Sequence, residues 1–454
     1  MRKLLLLFIL CLFTLDSRAQ WTSQATSFAA ASRGVTQIFI VDPNTVWITA
    51  YDGTGASTKC RDFSVTSDAG ATWISGTVPA ATTWSWSCIS AIDANTAWAM
   101  LFRYTAQYTG GIYKTTDGGA NWTQQGAGII FSTNNVSFPD VVYFWDANTG
   151  VALGDPLNGE YEIYTTSDGG SNWNAVSGAG IVDPTANETG LTASFCVRNG
   201  IIWCGTTDGR ILKSTDQGQT WEAFSTGYSG YFVPKPVFAN ENLGWSQVYH
   251  VNSSNVVDDR QFVRTTDGGN TWTTLSPSGP YHYGSISYIP YTITTLISTG
   301  IDYVNGDLGS SYSLDGGDSW IEIDTGVQHG EVEFYDNATG WCGGFNTDQY
   351  TDGIFKYDDV FVATGIENTD PSVKFSLYPN PSNGLFYFSF EASNNQPIHI
   401  HVTDALGKVV FDKIYKDKSQ TWLRSIDLRN FSKGIYFLDL ENNGNHKQQK
   451  LVIN

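Results

Sequence analysis

Thr66-Ser67-Asp68-Ala69-Gly70-Ala71-Thr72-Trp73 is the first of six copies of one eight-residue sequence, Ser/Thr-x-Asp-x-Gly-x-x-Trp. The aspartates of the six copies are Asp68, Asp117, Asp168, Asp216, Asp267 and Asp315. Neighbouring aspartates stand 48 to 51 residues apart, which is the length of one four-stranded propeller blade. The spacing therefore predicts an all-β chain built as a β-propeller.

The chemistry of the repeat predicts a tight turn between two strands. An aspartate carboxylate accepts backbone N–H groups two residues further along the chain, and glycine adopts a positive φ without steric cost. The tryptophan then starts the outgoing strand, where its ring can fill the space between blades. We therefore expect the six aspartates to be structural residues of turns and not catalytic or metal-binding residues.

A second repeat alternates with the first and joins pairs of apolar runs. Its members are Asp42–Trp47, Asp93–Trp98, Asp146–Val151, Asn240–Trp245 and Asp336–Trp341, and turns at Arg198–Gly200 and near Ile289-Pro290 fill the two gaps. Seven such hairpins predict seven blades. We call each copy of the eight-residue repeat a box. Because there are six boxes, we expect a degenerate seventh box at Phe355–Asp359.

The order of strands within a blade predicts where the loops lie. If each blade runs from an inner hairpin through a connection to a box hairpin, both tight turns lie on one face of the propeller and the longer connections lie on the other. Binding residues usually occur on such variable loops above a rigid scaffold. We also expect the segment from Trp21 to about Arg33 to complete the last blade, since closure removes exposed sheet edges.

The eight-residue repeat resembles the Asp-box of bacterial sialidases, sortilin-type receptors and related propellers, which implies a fold-stabilising turn remote from any central ligand site. The sequence Thr-Thr-Asp-Gly-Gly-x-x-Trp, seen at Thr115–Trp122, and the seven-blade period are similar to photosystem II assembly-factor-like propellers. In the photosynthetic members the partner surface is arginine-rich. This chain is acidic and departs from that pattern, which excludes a photosystem role.

The N-terminus predicts export. Residues 1–19 have the pattern of a secretory signal peptide, with Arg2 and Lys3 before the apolar stretch Leu4–Phe13 and a small-residue cleavage site at Ser17-Arg18-Ala19. The apolar stretch is shorter than the roughly 20 residues that a membrane span needs. We expect the propeller to occupy residues 20–362 and a polar linker to occupy residues 363–374.

Residues 375–454 form a second predicted domain, a small β-sandwich. The strand His399–Val402 alternates, Asp404–Gly407 turns, and Lys408–Phe411 returns. The ordered motifs Phe375–Gly384, Val402–Val410, Leu428–Leu438 and Lys450–Ile453 resemble the C-terminal sorting domain of type IX secretion cargo. The resemblance implies contact with the type IX machinery, passage across both membranes, and release or attachment at the cell surface.

Charge and cysteine content exclude some partners. The formal net charge is −19, and the acidic excess lies in the propeller, so nucleic acid and anionic membranes, which require a Lys/Arg surface, are not expected partners. No motif indicates a cofactor or a metal ion. Cys60 with Cys88, or Cys196 with Cys204, are possible pairs on spacing, and buried free thiols are the alternative.

A candidate ligand site remains when the turn and hairpin residues are set aside. The aromatic, basic and acidic residues expected near the variable loops or the channel are Trp84, Trp86, Arg103, Tyr104, His250, Tyr281, His282, Tyr283, His329, Glu331 and Glu333. Aromatic rings with a few polar groups around a concave opening suit a glycan or a protein ligand. We expect a monomeric, secreted or cell-surface binding module.

The alternative function is a secreted glycoside hydrolase. Paired acids such as Glu331 and Asp302 would be required, at a separation that the sequence does not give. The sialidases that share the box need an arginine triad and a Phe-Arg-Ile-Pro-like opening sequence, and that opening sequence is absent here. The xyloglucan-cleaving hydrolases with this box use two propellers, whereas one is predicted in this chain.

Overall fold

The computed structural model describes residues 20–56, 58–103, 109–133, 137–361, 373–392, 398–404, 408–415, 422–442 and 445–453. Nearly all of the regular structure in these residues is β-strand, together with a short 3₁₀ turn at Gly178–Gly180. The strands are short and are separated by Gly, Asn, Asp and Ser turns, as expected for an antiparallel all-β protein.

The first strand and the first three blades have the following bounds. Strand β1 spans Trp21–Ala25. Blade 1 contains β2 (Arg33–Ile40), β3 (Val46–Asp52), β4 (Asp62–Thr66) and β5 (Ile74–Thr77). Blade 2 contains β6 (Trp84–Ala91), β7 (Ala97–Arg103), β8 (Thr109–Thr115) and β9 (Thr123–Gln125). Blade 3 contains β10 (Pro139–Phe144), β11 (Gly150–Leu157), β12 (Glu160–Thr166) and β13 (Asn174–Ala175).

The remaining blades repeat the same pattern. Blade 4 contains β14 (Gly190–Arg198), β15 (Ile201–Thr206), β16 (Arg210–Ser214) and β17 (Glu222–Ser225). Blade 5 contains β18 (Tyr231–Phe238), β19 (Gly244–Val251), β20 (Val257–Thr265) and β21 (Thr273–Leu275). Blade 6 contains β22 (Ser285–Tyr288), β23 (Leu296–Asp302), β24 (Asp307–Ser313) and β25 (Ile321–Thr325). Blade 7 contains β26 (Val332–Phe334), β27 (Gly340–Asp348) and β28 (Thr351–Tyr357).

The N-terminal strand supplies the outer strand of blade 7. Strand β1 pairs antiparallel with β28, and Trp21 lies opposite Tyr357. This pairing joins the two ends of the propeller and covers the edge of β28, the closure expected from the sequence. It also explains why six boxes accompany seven blades, because the outer strand of blade 7 does not follow a box turn.

The expectation of a degenerate box at Phe355–Asp359 is therefore corrected. Asp358 does not close a hairpin. Its backbone N–H donates to the Gln20 carbonyl at 2.9 Å, and its carboxylate accepts a hydrogen bond from the Thr22 hydroxyl. Asp358 thus connects the C-terminal end of the propeller to the N-terminal strand.

Each of the six box aspartates binds its own turn. In the first box Asp68 accepts hydrogen bonds from the Thr66 hydroxyl (2.8 Å), the Thr72 N–H (2.8 Å) and the Thr72 hydroxyl (2.6 Å). The Gly70 N–H donates to the Thr66 oxygen at 2.9 Å. Equivalent bonds occur in the other five boxes. The Thr72 hydrogen bonds hold the pKa of Asp68 below its usual value.

Both kinds of tight turn lie on one face of the propeller. The N–H of Gly118, in the second box, donates to the carbonyl of Asn95, in the inner hairpin of the same blade, at 3.0 Å. The Gly268 N–H donates to the Asn242 carbonyl at 2.8 Å in blade 5. We call this the turn face, and we call the opposite face, with the longer connections, the variable face.

Tryptophans of the second strands fill the space between blades. The rings that are fully buried belong to Trp47, Trp98, Trp203, Trp245 and Trp341. Trp98 of blade 2 stacks on Phe144 of blade 3 with 3.6 Å between ring centres. Trp203 of blade 4 stacks on Phe238 of blade 5 at 4.1 Å. The inter-blade space is therefore a packed apolar layer that fixes the position of each blade.

The C-terminal domain consists of two sheets that share one hydrophobic core. One sheet has the order β29 (Val373–Tyr378), β30 (Leu385–Ala392), β33 (Trp422–Asp427). The other has the order β32 (Val409–Tyr415), β31 (Ile398–Asp404), β34 (Gly434–Asn442), β35 (Asn445–Ile453). The shared core includes Phe386 and Phe388 from the first sheet and Ile400 and Leu438 from the second.

The five cysteines of the described residues are free thiols. Cys60, Cys88, Cys204 and Cys342 are buried, whereas Cys196 is half-buried. Burial raises the pKa of the Cys88 thiol to about 12, which makes it a weak nucleophile. Neither pair that the spacing permitted forms a disulfide.

Candidate ligand-binding site

The variable face carries a cleft between blades 5 and 6. Its volume is about 580 Å³, within the range of small-ligand sites. The variable-face ends of β19, β20, β23 and β24 and the loop before β22 form its walls. The lining side chains that carry polar or aromatic groups are Gln247, Tyr249, Arg260, Tyr283, Asp302 and Asp307.

Arg260 is the cationic group of this cleft. Its guanidinium carbon lies 5.6 Å from the centre of the Tyr283 ring, and its Nη1 donates to the Tyr283 carbonyl at 3.4 Å. Within the part of the chain that the structure describes, no carboxylate oxygen lies within 4.0 Å of an Arg260 guanidinium nitrogen. Most of its N–H donors are therefore available to an acceptor on a ligand.

The carboxylate of Asp302 is engaged by its own turn. It accepts hydrogen bonds from the backbone N–H groups of Val304 and Asn305, both at 3.0 Å, and from the Asn305 side-chain amide at 2.6 Å. The Asn305 side-chain bond is the main reason that the pKa of Asp302 lies below its usual value. Asp302 is therefore ionised near neutral pH and poorly suited to act as a general acid.

Asp307 fixes the backbone beside the cleft. One oxygen lies 2.7 Å from Nδ1 of His282, and the other accepts the Tyr283 N–H at 3.0 Å. His282 is buried, and its Nε2 has no hydrogen-bond partner among the described residues. His282 thus acts as an internal support for Tyr283, which corrects its assignment to the ligand-contacting set.

Tyr281 also supports the cleft from behind. Its ring packs on Phe262 at 4.9 Å, Trp320 at 4.8 Å and Tyr283 at 4.7 Å. Its hydroxyl accepts a hydrogen bond from Gln247 Nε2 at 2.8 Å. Of the three consecutive residues singled out in the sequence, Tyr283 is the one that borders the cleft.

The tryptophans of β6 are placed in and beside the core. Trp86 is 7% exposed and donates its Nε1–H to the Asp62 carbonyl of blade 1 at 2.9 Å, so it packs between blades and is removed from the ligand-contacting set. Trp84 is half-buried against Tyr113, with 6.3 Å between ring centres. Arg103 lies opposite Trp84 on β7, and Tyr104 lies outside the described residues.

The other two histidines of the candidate set, His250 and His329, differ in exposure. His250 is partly exposed near the cleft at the end of β19, with Nδ1 2.6 Å from Asp258. His329 is completely buried, with Nε2 2.7 Å from Asp324 and Nδ1 3.2 Å from the Cys342 sulfur. His329 is therefore a core residue, which corrects its assignment to the ligand-contacting set.

Glu331 and Glu333 line the central channel and share one lysine as their ion-pair partner. Lys235 of blade 5 reaches blade 7 and pairs with Glu331 and, at 2.9 Å, with Glu333. Ser285 and Ser287 on the intervening inner strand donate to the two carboxylates at 2.9 and 3.1 Å. The small serine side chains leave room for this ion-pair network across blade 6.

A second, larger cavity occupies the turn-face half of the channel. Its volume is about 940 Å³. Glu331, Glu333 and Lys235 lie at its deep end, and Tyr288 and Asn240 lie near its mouth on the turn face. Tyr378, Ser389 and Arg424 of the C-terminal domain also line it, so the C-terminal domain covers this end of the channel.

Three residues that shape these cavities were not predicted from the sequence: Tyr249, Arg260 and Lys235. Arg260 follows two aspartates at the start of β20, and a single cation among acidic residues on a variable loop is a usable signal. Lys235 stands in the inner strand Tyr231–Phe238, where a charged residue amid apolar ones predicts a partner across the channel.

A buried carboxyl pair in blade 3 was also missed. Asp140 is 1% exposed, and burial raises its pKa well above the usual value. Burial also raises the pKa of the neighbouring Asp155 to about 6. Neither carboxyl lines the two cavities described above. The pair therefore lies inside blade 3, away from both cavities. Its raised pKa values make the stability of the folded protein depend on pH.

Metal-binding clusters and membrane-spanning helices are two further features that could indicate function. Among the residues that the structure describes, no three or more His, Cys, Asp or Glu side chains are grouped so that they could hold a metal ion. No helix in the same residues is long and apolar enough to cross a membrane.

The C-terminal residues match a known family. Residues 376–454 match the model of the secretion system C-terminal sorting domain. The chain ends in a sorting domain. The protein is therefore exported by the type IX route to the cell surface or the exterior, as expected from its four ordered motifs.

The propeller is similar to solved structures of low sequence identity. YCF48 bound to D1 peptide is 16% identical at a TM-score of 0.51, covering 76% of this chain and 98% of that one. YCF48 from Cyanidioschyzon merolae is 15% identical at 0.51, covering 74% and 98%. The GH74 xyloglucanase from Xanthomonas campestris is 10% identical at 0.50, covering 74% and 53%. These likenesses show the propeller fold. A comparison with curated proteins gave no match.

Proposed function

We propose that the protein is a secreted or cell-surface binding module that holds a glycan or protein ligand in the variable-face cleft between blades 5 and 6. The observation that carries the proposal is Arg260. Its guanidinium lies against the Tyr283 ring in this cleft and has no ion-pair partner among the described residues. A cation with free donors beside an aromatic wall is a recognition element.

The cleft indicates the chemistry of the ligand. Arg260 would bind a carboxylate or carbonyl oxygen, and the Tyr249 and Tyr283 rings would contact a sugar ring or an apolar side chain. Hydrogen bonds fix the Asp302 and Asp307 carboxylates at the rim of the cleft. These carboxylates would repel a second negative charge on the ligand. An acidic sugar and a peptide with one carboxylate both meet this description.

The placement of the carboxylates supports binding over hydrolysis. The similar propellers include one that is described as bound to a peptide. They also include the GH74 xyloglucanase, of which this chain covers 53%. A hydrolase would need two carboxylates on either side of one bond. Asp302 borders the variable-face cleft and Glu331 borders the turn-face cavity, so this pair does not supply such a site.

The test uses the chain without the predicted signal peptide, residues 1–19, which we call the mature chain. It is applied to arrays of immobilised glycans and surface proteins. Arg260→Met and Tyr283→Ala are expected to abolish the signal, because they remove the donor and the aromatic wall. Arg264→Met is the matched control: Arg264 is on the same strand but at the turn face, paired with Asp318 at 3.2 Å. Binding that survives in both cleft variants would refute the proposed site. Turnover of aryl glycosides or polysaccharides by the wild type would favour the hydrolase instead.

A further inference from the structure

The sorting domain is seated on the turn-face mouth of the channel. The Asn240 side-chain amide donates to the Tyr378 hydroxyl at 2.6 Å. The Tyr378 ring packs against the apolar cluster of blades 5 and 6 that contains Trp245 and Tyr288. Burial is the main reason that the pKa of Tyr378 is raised. One aromatic side chain of the sorting domain is thus inserted at the edge of the propeller's larger cavity.

The propeller residue that makes this contact departs from its repeat. Four of the five sister turns begin with aspartate, at positions 42, 93, 146 and 336, and blade 5 has Asn240. The side-chain oxygen of Asn240 keeps the turn bonds, since it accepts the N–H groups of Asn242 (2.9 Å) and Leu243 (3.0 Å). Its amide nitrogen is left to donate to Tyr378. A neutral amide can be covered at lower desolvation cost than a carboxylate.

The cavity behind this mouth has the character of a binding site. Its volume of about 940 Å³ is at the upper end of small-ligand pockets. Tyr143, Phe195 and Tyr288 contribute aromatic surface, and Arg198 contributes a cation. While Tyr378 and Arg424 border the mouth, entry from the turn face is restricted.

We propose that the turn-face mouth is a second binding site, which accepts a tyrosine side chain presented by a polypeptide and is masked by the chain's own Tyr378 until the sorting domain leaves. This site is on the opposite face from the cleft of the proposed function and does not depend on it. Removal of the sorting domain would widen the turn-face entrance to this cavity.

The tether explains how such masking can be reversible. A short linker raises the effective concentration of a tethered domain to the millimolar range. The contact that includes the Tyr378 ring and its neutral hydrogen bond with Asn240 therefore stays formed in the intact chain. Once the linker is cut, we expect the two parts to separate at micromolar concentration.

The experiment places a specific protease site within residues 363–372 of the full mature chain and cuts it after folding. Gel filtration then measures whether the sorting domain separates, and titration of the separated parts gives the dissociation constant. Cys196 is a built-in reporter of entry, because it lines the cavity and is half-buried while the other thiols of the described residues are buried. Its labelling by a bulky maleimide is measured before and after the cut, with Cys196→Ser as the blank.

We expect slow labelling of Cys196 in the intact chain and at least several-fold faster labelling after the cut. Tyr378→Phe is expected to weaken reassociation about fivefold, the effect of one neutral hydrogen bond, and Tyr378→Ala is expected to weaken it further. Tyr436→Phe is the matched control, since the Tyr436 hydroxyl donates to the Ser432 carbonyl inside the sorting domain at 2.7 Å.

Two results would overturn the proposal. Equal labelling of Cys196 before and after the cut would show that the sorting domain does not mask the channel. Reassociation that is the same for wild type, Tyr378→Phe and Tyr436→Phe would show that Tyr378 is not the inserted group. Arg260→Met, which tests the variable-face cleft, should leave both measurements unchanged, so failure of one proposal is distinguishable from failure of the other.

Discussion

Replacing Lys235 by methionine should destabilise the propeller strongly. The Lys235 Nζ contacts Glu331 and Glu333 and donates to the Val332 carbonyl at 3.0 Å. The side chains of Lys235, Glu331 and Glu333 are 14%, 22% and 28% exposed. Methionine has a similar volume but no charge, so the variant leaves two neighbouring carboxylates in the channel without a cation.

The magnitude follows from the remaining partners. Removing one member of a buried ion pair costs about 3–5 kcal/mol. The carboxylates here are partly exposed and keep the hydroxyl donors of Ser285 and Ser287, which lowers the expected loss in unfolding free energy to about 2–4 kcal/mol. The triple variant Lys235→Met, Glu331→Gln, Glu333→Gln should recover most of that loss, because no unpaired charge remains.

The pH dependence has a definite sign. Burial already raises the pKa of Glu331 above its usual value, and loss of Lys235 raises it further. When folding raises the pKa of a carboxyl, the free energy of unfolding of the protein falls as pH rises towards that pKa. It increases again as pH falls through that pKa. The deficit of Lys235→Met relative to wild type should therefore shrink between pH 7 and pH 5.

Urea denaturation of the mature chain at both pH values measures these quantities. The wild type and the triple variant serve as references, and the slope of the unfolding curve checks that the transition remains comparable. A loss below about 0.5 kcal/mol for Lys235→Met, in the range of ordinary surface substitutions, would refute the reasoning. Such a result would mean that channel water solvates the two carboxylates as well as the lysine does.

Three further predictions concern the scaffold. Asp216→Ala removes the acceptor of four hydrogen bonds within its box turn and should lower the unfolding free energy by about 1–2 kcal/mol, measured by urea denaturation against Asp216→Asn. Deleting Trp21–Ala25 should expose the edge of β28 and produce oligomers or aggregates in gel filtration; a stable monomer would contradict this. Because burial raises the pKa of Asp155 to about 6 beside Asp140, wild-type stability should fall as pH rises from about 4 to about 6, and Asp155→Asn should reduce that slope.

The blade number could be predicted because its determinants are local in sequence. The turn bonds of a box join Thr66, Asp68 and Thr72, which lie within seven residues, so the same spacing appears in every copy. The closure by β1 was also predictable, since a propeller cannot leave its last blade with a free edge. The absence of a seventh box turn follows from the same closure, because β1 and not a strand after a box turn forms the outer edge of blade 7.

The ligand-contacting residues were harder to predict because exposure depends on partners far away in sequence. Trp84 and Trp86 look equivalent in a loop sequence, yet Trp86 reaches the Asp62 carbonyl of the preceding blade and is buried. His282 is held by Asp307, 25 residues later. These pairings are set by the contact between blades or by loop geometry, and neither leaves a pattern in the single sequence.

The two faces of the propeller are suited to different tasks because their loops differ in length. Tight turns give the turn face short, hydrogen-bonded projections such as the one at Asn240, against which a second domain can pack closely. The longer connections of the variable face build a cleft around Arg260 that the sorting domain does not line. A ligand could therefore occupy the variable-face cleft while the sorting domain is still attached, whereas the turn-face mouth becomes available after its removal. Binding at the first site should be insensitive to cutting the linker, and binding at the second should require it.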